Sequence, residues 1–195
     1  MSTTNTNHRH ETRIAADPAL PTILITREFD APPERVFRAY TEPDLVVQWL
    51  GPRRLAMRID QYDARSGGSY RYVHRDEDGT EYGFHGVFHE VRPHDRIVQT
   101  FTFEDFPDGV SLETAVFEDL GGRTRVTTRS LMESLETRDA ALASGMEHGV
   151  REGYERLDEL LNRDGRDDRD GRNESGDSDD HGVRADADRR SEPEA

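Results

Sequence analysis

From Leu55 to Met132 apolar side chains recur at every second position, and turn signals break the rhythm at intervals of about 10 to 15 residues. That period belongs to half-buried strands. Intervals so short leave no room for crossover helices, so successive strands must run antiparallel. Leu55, Met57 and Ile59 alternate with Ala56, Arg58 and Asp60. Gly67-Gly68 turns the chain, and Tyr70, Tyr72 and His74 follow on one face. Asp78-Gly79 marks a hairpin, leading into Tyr82 to Val91, Ile97 to Phe103, Val110 to Phe117 and Thr124 to Met132.

The flanks of this meander are different. Ile23 to Phe29 reads as one more strand, stopped by Asp30-Ala31-Pro32-Pro33. Val36, Phe37 and Tyr40, then Leu45, Val46 and Trp49, recur at helical spacing, each group opened by a proline that suits a first helical turn. After the meander, Leu142, Met146, Val150, Leu157, Leu160 and Leu161 form one stripe of a helix expected from Thr137 to Leu161. Gly145, Gly149 and Gly153 lie beside it. Each costs about 1 kcal/mol relative to alanine in a helix interior, so bulk must be unwelcome there. Close packing is the plainer explanation, and space for a ligand is the other. The order predicts an α+β helix-grip fold: a seven-strand antiparallel sheet curved around a long C-terminal helix, with two short helices after the first strand.

Composition sets the boundaries. Residues 162–195 carry twelve acids against seven arginines, and no Leu, Ile, Phe, Met, Trp or Tyr. They bury too little to offset their ordering entropy and are expected to form a disordered acidic tail. Residues 1–20 are expected to be a flexible leader, which leaves 21–161 as the domain. The net charge of −15 argues against nucleic acid and against anionic membrane surfaces as partners. With no cysteine there is no thiolate nucleophile or disulfide, and with no lysine no Schiff base or P-loop. Neither a secretory signal nor a membrane-length apolar run is present, so the expected location is the cytoplasm.

Thr26-Arg27-Glu28-Phe29-Asp30-Ala31-Pro32-Pro33-Glu34-Arg35-Val36-Phe37 resembles the opening of SRPBCC (START-like, birch-pollen-allergen-like) proteins. Trp49-Leu50-Gly51-Pro52 resembles the element that follows their short helices, and Gly67-Gly68-Ser69-Tyr70 their double-glycine turn. Arg138-Asp139-Ala140 through Ser144-Gly145-Met146 to Tyr154-Glu155-Arg156-Leu157 resembles the closing helix of the branch named for the activator of heat-shock-protein-90 ATPase. The resemblance implies a hydrophobic cavity beneath the C-terminal helix. It also implies members that bind apolar ligands, act on polyketides or assist chaperones. It carries no catalytic triad over to this sequence.

Inward alternation names Trp49, Met57, Tyr70, Tyr72, Phe84, Phe101, Phe103, Val126, Met146 and Val150 as cavity candidates, with simple core filling as the plainer role. Arg27, His74, Gln99 and Thr128 also fall on the apolar side of their strands. Buried polar groups need partners, which a ligand or the protein itself could supply. His85 and His89 share a strand face but stand about 13 Å apart, too far for one ion, so no metal or other cofactor is expected. Arg166 and Asp177 occupy the first and twelfth positions of a notional calcium loop around Gly171, which rules that loop out. No G-x-S-x-G or H-E-x-x-H is present, and Glu113 and Glu118 show no carboxylate partner at fixed spacing. The chain thus reads as a binding protein for a small apolar or aromatic ligand, acting as a monomer or homodimer. The alternatives are a co-chaperone-type module with a chaperone or other protein as partner, and a polyketide cyclase-like or hydrolase enzyme working in the cavity.

Overall fold

The computed structural model describes residues 10–173, with side chains through Arg163. The sheet is antiparallel throughout and has eight strands, in the order β1-β2-β8-β7-β6-β5-β4-β3. They are β1 (Arg13–Ala16), β2 (Thr22–Phe29), β3 (Ala56–Tyr62), β4 (Ser69–Arg75), β5 (Glu81–Arg92), β6 (Arg96–Phe103), β7 (Val110–Asp119) and β8 (Thr124–Leu131). Helices α1 (Pro33–Thr41) and α2 (Pro43–Trp49) link β2 to β3, so the chain crosses from near one edge of the sheet to the other. From β3 to β8 the strands follow as the expected meander. Register shifts at Ile59/Gln61 and Phe88/Glu90 sharpen the local twist.

The expected seven strands become eight because β1 pairs with β2, Ile14 facing Ile25. Four residues with one large apolar side chain give almost no alternation to read. Tertiary contacts hold the strand instead: Thr12 is buried, its hydroxyl accepts from Arg27 Nη1 at 2.8 Å, and its carbonyl accepts from Arg151.

The terminal helix is also corrected. It is two helices, α3 (Leu135–Ala143) and α4 (Met146–Asn173). Gly145 has φ of +82°, a left-handed conformation that stops α3 and that side chains with a Cβ rarely adopt. Ser134 caps α3 by accepting from the Thr137 N–H at 3.2 Å. Buried Arg138 ties α3 to the segment before β2, donating to the carbonyls of Leu20, at 2.9 Å, and Asp17. The α4 helix continues past Leu161 to Asn173, beyond the expected start of the tail. The rest of that tail and the first nine residues of the leader lie outside the described residues.

The core lies between the sheet and the helices. Ile23, Ile25 and Phe29 of β2 meet Val36 and Phe37 of α1, Trp49 of α2, and Tyr154, Leu157, Leu160 and Leu161 of α4. The aromatic rings interlock edge-on, Phe29 with Tyr154 at 5.6 Å and Phe37 with Phe117 at 5.3 Å between centroids.

Candidate functional site

Packing is tight where Tyr154, Leu157, Leu160 and Leu161 of α4 meet α1, α2 and β2. Toward the N-terminal end of α4 it opens into a cavity of about 800 Å³. That volume is within the roughly 300–1,000 Å³ typical of small-molecule sites. Tyr70, Tyr72, Phe84, Phe101 and Phe103 supply aromatic walls from β4, β5 and β6, Trp49 and Tyr40 close one end, and α3 and α4 form the cover. Lining residues that also reach solvent, Arg54, Phe106, Val110, Ser144 and His148, mark the mouth.

Of the glycines beside the terminal stripe, Gly145 is the turn itself. A Cβ on Gly153 would come within 3.2 Å of the Trp49 carbonyl, so α4 approaches the loop after α2 closely there. A Cβ on Gly149 would meet only Pro52, at an ordinary 3.6 Å. Both readings of these glycines therefore apply, close approach at Gly153 and spare room at Gly149, and all three positions line the cavity.

One wall is polar. Antiparallel register sets Gln99 of β6, Glu113 of β7 and Ser130 of β8 side by side in one row. Ser111 Oγ donates to Glu113 Oε1 at 3.1 Å. Burial pushes the Glu113 carboxyl above its ordinary range, with hydrogen bonds from Ser130 and Ser111 opposing it. Gln99 Nε2 donates to the Tyr70 hydroxyl at 3.3 Å, and that hydroxyl donates to the Thr100 carbonyl at 2.8 Å. Thr128 pairs with the Tyr154 hydroxyl at 3.3 Å, which also accepts from Tyr40 at 3.2 Å. Burial raises the phenols of Tyr62, Tyr70 and Tyr72, so they stay neutral.

His74 stands opposite Tyr82 in the hairpin, with its ring against Tyr72 and Phe84. Gly51 lets it fit: a Cβ there would lie 2.3 Å from the imidazole. Burial pushes His74 down to about 4, against a backbone hydrogen bond with Leu50, and its Nε2 has no partner. At neutral pH it is an uncharged and weak base.

The cavity brings together eleven of the fourteen residues read from the sequence: Trp49, Tyr70, Tyr72, His74, Phe84, Gln99, Phe101, Phe103, Thr128, Met146 and Val150. Three lie elsewhere. Val126 is fully buried in the packed core, and Met57 packs against that core from β3. Arg27 is inward and buried, but its partners are Asp158 and Thr12 rather than a ligand. Its alternation was legible; its partner, 131 residues away, was not.

Glu113 and its serines, with Tyr40, Tyr62 and Tyr154, also line the cavity and were not among the candidates. Glu113 shares a face with Ala115 and Phe117, and that register was available in the sequence. The opposite face of β7 obscured it, because Leu112 and Val116 are just as apolar and point outward. Among the described residues no group of three or more His, Asp or Glu is placed to hold a metal ion, and no helix is long and apolar enough to cross a membrane.

A family model described as Activator of Hsp90 ATPase homolog 1-like protein matches residues 30–162, the span from the end of β2 through the packed part of α4. The chain belongs to this family. Its fold is that of the SRPBCC superfamily, of which the activator-like proteins are a branch. Protein Ms6760 from Mycobacterium smegmatis is 26% identical, with a TM-score of 0.71 over 77% of this chain and 97% of its own. A protein from Rhodobacter sphaeroides is 28% identical, with a TM-score of 0.71 over 77% and 98%. A protein from Arthrobacter aurescens is 29% identical, with a TM-score of 0.72 over 77% and 91%. No curated protein matches the sequence significantly. The activator-like fold thus accounts for the sheet, the helices and the space between them.

Proposed function

We propose that this activator-like protein binds one small apolar or aromatic molecule between its sheet and α4. The observation that carries the reading is the cavity of about 800 Å³, walled largely by aromatic rings and carrying a cluster of polar groups at Gln99, Ser111, Glu113 and Ser130. Apolar walls supply affinity in proportion to the area they cover, and a few placed polar groups orient the guest. Native mass spectrometry of the full chain against a panel of neutral aromatic and acyl compounds tests this. The reading expects a one-to-one adduct whose formation raises the thermal midpoint; a chain that takes up none of the panel contradicts it.

The convergence of Gln99, Glu113, Ser111 and Ser130 on one wall favours a second reading, an enzyme of the cyclase or hydrolase type. In that reading Glu113, raised by burial, serves as general acid or base. Turnover of a bound ketide or ester mimic that survives Glu113→Gln unchanged would rule it out. A solid core would have favoured the co-chaperone-type alternative, and the cavity supports the ligand-binding reading instead.

A further inference from the structure

We propose that the ligand carries a basic nitrogen on its apolar body and that Glu113 receives it as an ammonium ion. The inference rests on the ligand-binding reading above and names the head group.

Four ionisable residues other than tyrosines line the cavity among the described residues. Arg54 and His148 stand at its mouth. His74 is packed between rings as an uncharged imidazole. Only Glu113 can present charge inside. It lies in the middle of a cross-strand row, with Gln99 on one side and Ser130 on the other.

An ionised carboxylate has about four acceptor sites, and the two serine hydroxyls leave capacity for a further donor. No arginine or histidine among the described residues pairs with it. The buried guanidinium on β2, Arg27, is engaged by Asp158 and Thr12. Without a cation in its apolar chamber the Glu113 carboxyl is driven toward its neutral form, and an ammonium ion seated beside it would hold it ionised and complete an ion pair.

The surrounding rings suit a positive head. Tyr70 bonds Gln99, the cross-strand neighbour of Glu113, and Tyr72 and Tyr154 line the same cavity. Aromatic faces attract ammonium groups, most strongly where water is excluded. An anionic head would meet repulsion from Glu113. A neutral head could use hydrogen bonds but would leave the charge unmatched.

The test compares three probes with one body and different heads: pyrenebutylamine, pyrenebutanol and pyrenebutyrate, titrated into the full chain with pyrene emission as the readout. The amine should bind about tenfold more tightly than the alcohol or better, with the butyrate weakest. In Glu113→Gln the ratio of amine to alcohol affinity should collapse toward one, with cooperative thermal unfolding showing that the variant is folded. Alcohol binding as tight as amine, or an amine preference that survives Glu113→Gln, overturns the inference and leaves the ligand-binding reading standing. Failure of all three probes to bind overturns both.

Discussion

Arg27 and Glu113 both occupy inward positions on the same sheet, and the fold treats them in opposite ways. Arg27 reaches Asp158 of α4 and Thr12 beside β1, so its charge is neutralised by the protein and locks three segments together. Burial pushes the Asp158 carboxyl up, and the Arg27 guanidinium opposes it. Glu113 has hydroxyl partners but no cation among the described residues, and it faces open space. A buried charge matched from within is architecture. One left unmatched beside a cavity is where a ligand can contribute what the protein withholds.

The largest effect should come from breaking the matched pair. Arg27→Ala leaves the largely buried Asp158 without its guanidinium partner and should cost about 3–5 kcal/mol in urea denaturation. Arg27→Met combined with Asp158→Leu should recover most of that loss, since an apolar pair of similar volume escapes the desolvation cost. If the single and double variants were equally destabilised, ion pairing would not be what holds that corner.

His74 sharpens the contrast as a buried base kept uncharged. Its folded value of about 4 lies below the unfolded 6.5, so the unfolded chain binds a proton first as pH falls. Stability is intact above pH 6.5 and declines toward pH 4, by about 3 kcal/mol in total. Denaturation midpoints measured across that window should show the decline, and His74→Leu should flatten it.

Glu113 should behave in the reverse sense. Its folded pKa is raised, so its contribution is fully present below the unfolded value near 4.5 and is lost as pH rises through the folded value. Glu113→Gln should therefore stabilise the empty protein at pH values above the folded value and change little below pH 4.5. Such a gain on removing a side chain is the mark of a group kept for binding rather than for stability.

The same contrast explains what the sequence disclosed. Alternation in β4, β5 and β6 pointed to the aromatic walls of the cavity, and in β6 and β8 to isolated inward polar sites such as Gln99 and Thr128. It failed in β7, where Leu112 and Val116 make the outer face as apolar as the inner and hide Glu113. It failed again at β1, which is held by Arg27 and Arg151 from distant parts of the chain rather than by its own pattern. The division of the terminal helix turned on Gly145. As a letter this glycine looked like its neighbours Gly149 and Gly153; only its left-handed backbone sets it apart.

The chain's single tryptophan, Trp49, lines the cavity and touches Tyr40 and Tyr154, so its emission reports directly on occupancy. Titrating the full chain with pyrenebutanol should quench Trp49 saturably at one equivalent, and Gly149→Phe, which grows a ring into the space beneath α4, should weaken that quenching at least tenfold. Quenching that never saturates, or that proceeds identically in Gly149→Phe, would contradict a binding chamber between the helix and the sheet.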